Sequence, residues 1–218
     1  MPYFNNNDVN ILLIHIPKTG GTSLENYFSK KFDIPLDTNS LWMFFETEIL
    51  VKNNIFFTST LQHLTYQTIF KYNKFLKINY DNITIITIVR NPYERIISDL
   101  FFLKKININT SKEEVFDIIK TYLTSDNLDN HNIPQYHFIT NDNKELIPNI
   151  HILHCETLTT DMHNLGYTDF NIHIHNNPIK TDYYNFLNND SIKLINYFYH
   201  YDFKLFNYNK KLCVWSDP

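Results

Sequence analysis

The sequence contains little glycine, little cysteine and few charged residues. Three of its 218 residues are glycine, and two of these, Gly20 and Gly21, are adjacent. Glycine tolerates backbone conformations and close contacts that other residues do not, so the pair predicts a tight turn with a special purpose. The two cysteines, Cys155 and Cys213, lack the spacing of a metal site or a disulfide framework. We expect both to be buried thiols, although the sequence leaves a bond between them open.

Long apolar runs and an excess of positive charge are also absent. No stretch reaches about 18 apolar residues, so no membrane-spanning helix is predicted, and residues 1–10 lack the positive start of a signal peptide. These features predict a soluble protein, cytoplasmic by default. The net charge of −4 provides no general basic field for nucleic acid. With 43% hydrophobic and 19% charged residues, the chain is typical of one globular domain, which we place over residues 1–218.

Short β-branched apolar runs alternate with amphipathic segments along the chain. The runs predict buried strands at residues 9–16, 55–60, 83–89 and 150–154. The amphipathic segments predict helices at residues 22–32, 64–76 and 93–104, from a Ser111–Glu114 capping box to residue 123, and from Asp190 or Ser191 to residue 201. This alternation is typical of an α/β domain with a mostly parallel central sheet flanked by helices. In such domains ligands bind beyond the carboxyl ends of the strands.

The turn after the first strand, Pro17 to Ser23, has the composition of an anion-binding loop. Its two glycines let the backbone approach an anion, while Lys18 adds a positive charge and the Thr22 and Ser23 hydroxyls lie at a helix N-terminus. The phosphate loop of nucleotide hydrolases does not fit, because Lys18 precedes the glycine pair instead of following it. The other long strand ends in Arg90 rather than in an aspartate that could hold magnesium. The sequence therefore predicts a site for a phosphate-like anion without a metal.

A second anion-binding motif follows the strand at residues 83–89. Arg90 ends this strand, and its planar guanidinium is suited to a phosphate group. Ser98 lies eight residues later, on a helix face that could look back toward the strand end. Arg95, between them, is expected to pack or pair rather than to bind a ligand.

These two motifs together resemble those of carbohydrate sulfotransferases that use 3′-phosphoadenosine-5′-phosphosulfate (PAPS), the family that includes the heparan sulfate 2-O- and 6-O-sulfotransferases. The resemblance implies a P-loop-like sulfotransferase fold, PAPS as donor, adenosine 3′,5′-bisphosphate as product and a glycan hydroxyl as acceptor. It also implies that the loop lysine neutralises charge on the leaving phosphate. The implied donor contacts are those of Lys18, Thr19, Gly20, Gly21, Thr22, Ser23, Arg90 and Ser98.

Transfer to a hydroxyl requires a general base, and histidine suits this role near neutral pH. The chain has 10 histidines, so position must decide between them. The resemblance favours His63, after the predicted second strand, whereas His15 is expected to be packed. It also places Gln135 on the acceptor side, and Asn177 or Lys180 near the donor. No set of histidines with acids or cysteines has convincing zinc spacing, so no metal is expected.

Two other functions remain open from the sequence. One is a nucleotide-dependent phosphotransferase or hydrolase, and the other is a non-catalytic nucleotide-binding module of the same fold. The acceptor is also open, since a tyrosine hydroxyl, a lipid or a small metabolite could replace the glycan.

Overall fold

The computed structural model describes residues 1–43, 47–126, 128–171 and 182–212. Its centre is a four-stranded sheet in the order β1-β2-β3-β4. The strands are β1 (Tyr3–Asn5), β2 (Asn10–Ile14), β3 (Thr84–Val89) and β4 (Ile150–His154). Strands β2, β3 and β4 are parallel, and β1 pairs with β2 in the antiparallel direction. The predicted α/β fold with a mostly parallel sheet is therefore confirmed.

Helices surround this sheet. Within the described residues they are α1 (Gly21–Phe32), α2 (Glu48–Lys52), α3 (Tyr66–Lys71), α4 (Asn73–Leu76), α5 (Pro92–Phe102), α6 (Lys112–Thr124), α7 (Tyr136–Ile139), α8 (Leu158–Asn164), α9 (Asn189–Phe198) and α10 (His200–Leu205). Short 3₁₀ helices lie at Leu61–His63, Cys155–Thr157 and Tyr183–Phe186. The capping box at the start of α6 is present, since Ser111 and Glu114 exchange side-chain to backbone hydrogen bonds.

The inner strands are buried on both faces, as expected for parallel strands covered by helices. Alternate residues of β2 enter different cores: Leu12 and Ile14 pack on one side, and Ile11 and Leu13 on the other. Helix α1 joins the second of these cores through Leu24, Tyr27 and Phe28, whose spacing places them on one helical face. A third core links α5, α6 and α9. The sheet is thus fixed from both sides, which holds the ends of its strands in place.

Several predicted elements differ from the structure. Residues 55–60 do not form a strand, because Ile55 is buried in the core without any strand partner and β1 occupies the place beside β2. The helix predicted at residues 64–76 is two short helices, α3 and α4, which meet at Tyr72. The helix predicted from Asp190 or Ser191 to residue 201 is α9, which ends at Phe198 before a separate helix, α10. The cap of α9 is Asn188, whose side chain accepts a hydrogen bond from the Ser191 amide.

The strand order brings the two predicted anion-binding motifs to the same edge of the sheet. Strands β2 and β3 are parallel neighbours, so the loop after Ile14 and the turn after Val89 emerge side by side. This edge is the carboxyl end of the strands, where α/β sheets bind their ligands. The pairing of β2 with β3 therefore brings both motifs to the carboxyl end of the sheet. Helix α1 begins within the first motif and helix α5 within the second.

Candidate functional site

The loop after β2 turns sharply before α1. Lys18 has a φ of 66° and Gly20 a φ of 98°, so both adopt left-handed backbone conformations. The Thr19 hydroxyl is buried and donates a hydrogen bond of 2.8 Å to the Ile16 carbonyl, which closes the turn. Helix α1 starts at Gly21, so the free amides of its first turn face the loop. An anion at this point would meet backbone N–H groups and the positive end of the helix dipole.

The two glycines are required for different reasons. Gly20 has a backbone conformation that disfavours any side chain. Gly21 instead has no room, because an added Cβ would lie 2.4 Å from Cδ2 of the His15 ring. The glycine pair therefore combines a left-handed turn with close packing of an imidazole beneath the loop.

The remaining loop residues are partly enclosed. Ser23 is buried, and Thr22 is half-buried, with its carbonyl accepting a hydrogen bond from Asn26. The Lys18 ammonium lies 3.9 Å from the centre of the Phe102 ring. Burial lowers the pKa of Lys18, while the Asp99 carboxylate opposes this shift and the Arg90 guanidinium adds to it. Lys18 is thus held at the loop by an aromatic face, and no carboxylate of the described residues forms a salt bridge with it.

Arg90 connects the two motifs directly. Its Nη1 atom donates a 3.3 Å hydrogen bond to the Lys18 carbonyl, and its Nη2 atom lies 3.2 Å from Oε2 of Glu94. The guanidinium also lies over the ring of Tyr183, with 5.4 Å between Cζ and the ring centre. Arg90 is therefore close enough to the loop for both to contact a single ligand with two anionic groups.

His63 lies near the same edge, at the end of a 3₁₀ helix rather than after a strand. Its Nδ1 atom is 2.7 Å from Oδ2 of Asp129. Asp129 is in turn fixed by the Thr60 amide and hydroxyl, and Asn130 donates to the His63 carbonyl. Burial lowers the pKa of His63 to about 4, against the opposing effect of Asp129. At neutral pH the imidazole is consequently uncharged.

The sequence motifs gave no signal for Asp129, because its partner His63 is far away in the chain and the contact is purely tertiary. Asp129 and Asn130 both have positive φ angles, of 52° and 61°. Short polar side chains tolerate this conformation better than others do. The resulting turn brings the Asp129 carboxylate back onto His63.

His63 is the middle member of a row of three imidazoles. Its ring centre lies 5.1 Å from that of His15 on one side and 5.1 Å from that of His131 on the other, with edge-to-face geometry in both pairs. Each Nδ1 atom has a carboxylate partner: Glu25 for His15, Asp129 for His63 and Asp99 for His131. The His15 contact agrees with the packed role expected from the sequence.

The model of the sulfotransferase family matches residues 1–209 of the chain. The chain belongs to the sulfotransferase family. This membership agrees with the parallel sheet and with the loop at its edge, and it supports sulfuryl transfer as the general activity. No curated protein and no solved structure matches the chain significantly.

In this sulfotransferase Gln135 lies behind Arg90 and is completely buried. Its side chain accepts a 2.9 Å hydrogen bond from the Arg90 amide and donates a 2.8 Å hydrogen bond to the Arg90 carbonyl. Its own amide donates to Asp202, a buried carboxylate whose pKa is raised by burial to about 6. Gln135 has no surface with which to contact an acceptor, in contrast to the sequence-based expectation, and it fixes the position of Arg90 instead.

Two other residues of α5 have distinct surroundings. Ser98 is half-buried, and among the described residues no hydrogen bond engages its hydroxyl. Arg95 is buried and donates to the carbonyls of Pro17, His131 and Ile133. It packs as expected, and it fastens the loop after β2 and the His131 segment to the same helix.

His63, Asp129 and His131 also have the residue types of a metal site. One possible ligand atom from each lies within 4.8 Å of the others. The sequence gave no sign of this cluster, because its members are brought together only by folding. In this structure the Nδ1 atoms of both imidazoles bind carboxylates, an arrangement that orients the rings with or without a metal.

A polar cavity of about 680 Å³ lies on the Asp129 side of this cluster. Among the described residues, its lining includes Asp126 and Asp129 but no lysine or arginine. Such a surface does not favour a strongly anionic molecule.

Three smaller expectations concern the rest of the chain. The Cys155 thiol is unpaired and half-buried, and burial raises its pKa to about 11, whereas Cys213 lies outside the described residues. Asn177 and Lys180 also lie outside them. Among the described helices, none has the length and apolar character needed to cross a membrane.

Proposed function

We propose that this sulfotransferase moves a sulfuryl group from PAPS to a hydroxyl of a carbohydrate acceptor, with His63 as general base. The observation that carries the proposal is the contact between Arg90 and the Lys18 carbonyl, at 3.3 Å. This contact supports the proposal because the two predicted anion-binding motifs then lie side by side, which is the arrangement that a donor with a 5′-phosphosulfate and a 3′-phosphate would need. The residues present fit such a donor. One motif supplies a glycine turn and a lysine, and the neighbouring motif supplies an arginine whose Nε has no hydrogen-bond partner among the described residues.

The loop holds the 5′-phosphosulfate end of the donor in this proposal. The amides at the start of α1 and the Lys18 ammonium stabilise the negative charge that develops on the leaving phosphate. Thr22 and Ser23 are the hydroxyl-bearing residues of the same turn, and Thr19 keeps the turn closed. Arg90 and Ser98 bind the 3′-phosphate, and Gln135 keeps the Arg90 backbone in position.

His63 takes the proton of the acceptor hydroxyl. The acceptor oxygen bonds to sulfur as the bond between sulfur and the phosphate oxygen breaks, and the proton passes to Nε2 of His63. The Nδ1–H group of His63 donates a hydrogen bond to Asp129, which fixes the tautomer in which Nε2 is unprotonated. Asp129 also stabilises the imidazolium that forms. A neutral imidazole at pH 7 is ready for this role.

An uncharged carbohydrate suits the site better than a heavily sulfated one. The net charge is −4, and the cavity beside Asp129 is lined by two carboxylates, neutral polar groups and apolar side chains. A polyanionic acceptor would require a basic surface at that position.

The proposal is tested by calorimetric titration of adenosine 3′,5′-bisphosphate into EDTA-treated protein, with AMP as the comparison ligand. Tight binding of the bisphosphate and weak binding of AMP are expected, because only the bisphosphate reaches Arg90. Equal affinities would instead favour a nucleotide enzyme or a non-catalytic module. Transfer of radiolabelled sulfate from PAPS to a neutral oligosaccharide, compared with a tyrosine peptide, tests the acceptor class, and transfer to the peptide alone would contradict the carbohydrate assignment.

A further inference from the structure

Arg90 is occupied by a carboxylate of the protein itself. Glu94 lies one helical turn after it, and Oε2 of Glu94 is 3.2 Å from Nη2 of Arg90. The Arg90 side chain is 16% exposed and the Glu94 side chain 32% exposed, so the carboxylate lies at the more open end of the pair. A phosphate arriving at this guanidinium would meet a negative charge that already uses one of its donors.

Two polar atoms next to this ion pair are buried without a hydrogen-bond partner among the described residues. They are Nε of Arg90 and the hydroxyl of Tyr183. Both belong to one contact, since the Arg90 guanidinium lies over the Tyr183 ring. Buried donors without partners are rare in folded proteins, so two that belong to one side-chain contact require an explanation, and a bound ligand would supply it.

These two donors indicate which chemical group could accept hydrogen bonds from both. A phosphate has three terminal oxygens, so it can accept hydrogen bonds from a guanidinium and from a neighbouring hydroxyl together. Tyr183 is 8% exposed, so its hydroxyl is not satisfied by bulk solvent in the same way as a surface tyrosine. The aromatic ring packs on the guanidinium and holds it in place, while Nη1 and Nη2 contact the Lys18 carbonyl and the Glu94 carboxylate.

We propose that the Tyr183 hydroxyl binds the donor's 3′-phosphate together with Arg90, and that Glu94 is the internal carboxylate which this phosphate displaces. The proposal rests on the proposed function, because it assigns the 3′-phosphate to Arg90. Glu94 returns to Arg90 when the bisphosphate product leaves, so it weakens product binding and keeps the arginine paired in the free protein. Its position at the exposed side of the pair allows it to move into solvent.

The role of Tyr183 is tested with Tyr183→Phe, which removes the hydroxyl and keeps the ring beneath Arg90. Affinity for adenosine 3′,5′-bisphosphate is expected to fall about tenfold, as for a lost hydrogen bond to a charged group, while affinity for AMP is unchanged. The melting temperature of the free protein is expected to stay the same or rise, because a buried hydroxyl without a partner has been removed. A residue that serves only packing would not produce this combination.

Tyr80→Phe is the matched control. The Tyr80 hydroxyl is the other tyrosine hydroxyl that is buried and unpartnered among the described residues, and its ring contacts Phe70 rather than Arg90. Tyr80→Phe should therefore leave the affinities for the bisphosphate and for AMP unchanged. An equal loss of bisphosphate affinity in both variants would overturn the role of Tyr183.

The role of Glu94 is tested with Glu94→Gln, which preserves the shape of the side chain and removes its charge. The bisphosphate is expected to bind about three- to tenfold more tightly, since it no longer displaces a carboxylate, and AMP is expected to bind as before. Glu48→Gln is the control, because Glu48 forms an ion pair with Lys52 at the same spacing on an exposed helix.

Binding to the unaltered protein separates a failure of the Tyr183 and Glu94 roles from a failure of the proposed function. If the unaltered protein prefers the bisphosphate to AMP but Tyr183→Phe and Glu94→Gln both bind like it, the donor site stands and this inference is wrong. If the unaltered protein shows no preference for the bisphosphate, the proposed function and this inference are both overturned.

Discussion

Nδ1 of His63 lies 2.7 Å from Oδ2 of Asp129, although 66 residues separate them along the chain. This contact gives His63 one defined tautomer, with Nε2 available as a proton acceptor. It also joins the turn at residues 129–130 to the segment at residues 60–63, since Thr60 and Asn130 add hydrogen bonds between the two. His63 and the carboxylate that orients it are therefore part of one hydrogen-bonded connection.

His63→Ala should abolish sulfuryl transfer while leaving donor binding nearly intact. Loss of a general base lowers rates by about 10²- to 10⁴-fold. The initial rate of transfer from PAPS measures the first effect, and calorimetry with adenosine 3′,5′-bisphosphate measures the second. His151→Ala, at an exposed position of β4, is the control and should have normal activity. Normal transfer by His63→Ala would show that another group is the base.

Asp129→Asn should slow transfer by about 10²-fold or more, because an amide can hold the imidazole in the wrong tautomer. Bisphosphate affinity should remain unchanged, since Asp129 contacts His63 and Thr60 rather than the donor loop. Steady-state kinetics with varied PAPS separates the two effects. Asp126→Asn alters an exposed carboxylate of the same cavity and should have little effect, so similar losses in both variants would contradict the orienting role.

Stability should decrease as the pH falls from about 6.5 to about 4 because of His63. Its pKa is 6.5 before burial and about 4 in the fold, so the unfolded chain binds more protons in this range. The stabilisation is complete above the higher value and is lost as the pH approaches the lower one, by roughly 3 kcal/mol. Urea unfolding at a series of pH values measures it, and His63→Gln should flatten this part of the curve. An unchanged slope in the variant would assign the acid sensitivity to other groups.

Gly21→Ala should destabilise the protein by about 2 kcal/mol, as expected when an extra group is forced into a packed site. The new Cβ would lie 2.4 Å from the His15 ring. Denaturant unfolding measures the change, and the loss should be smaller when His15→Ala is present, since the ring is then absent. Gly20→Ala is the matched control: its loss of about 1 kcal/mol arises from a φ of 98° and should not depend on His15. If Gly21→Ala lowers the free energy of unfolding equally with and without His15→Ala, a clash with the His15 ring is not the cause.

Treatment with EDTA should leave sulfuryl transfer unchanged. The proposed reaction uses Lys18, Arg90 and His63 for charge and proton transfer, so it requires no metal. Rates before and after dialysis against EDTA provide the measurement, with metal content checked by atomic absorption. Loss of activity that returns only with a divalent cation would instead assign a metal to the cluster of His63, Asp129 and His131.

Local patterns predicted the part of the site that depends on neighbours in the chain. The glycine turn, the arginine at the end of β3 and the cap of α6 each occupy a few consecutive residues, and their geometry follows from those residues. The parallel sheet followed from alternation of strand and helix patterns. These features require little information about distant residues.

The remaining features depend on tertiary contacts. Asp129 could not be assigned to His63 from spacing. The resemblance placed Gln135 on the acceptor side, and nothing in the sequence shows that its side chain is buried on the Arg90 backbone. The apolar run at residues 55–60 is buried without pairing, whereas the three-residue strand β1 was too short to predict. An apolar residue can be buried in a loop as well as in a strand, so an apolar pattern alone does not distinguish the two.

Arg95 links both halves of the site through a single guanidinium. It donates to the Pro17 carbonyl at the start of the donor loop and to the carbonyls of His131 and Ile133 on the other side. Because one guanidinium fastens both, the Pro17 turn and the segment at residues 131–133 are held at a fixed separation, and neither can move away from the other without breaking hydrogen bonds of Arg95.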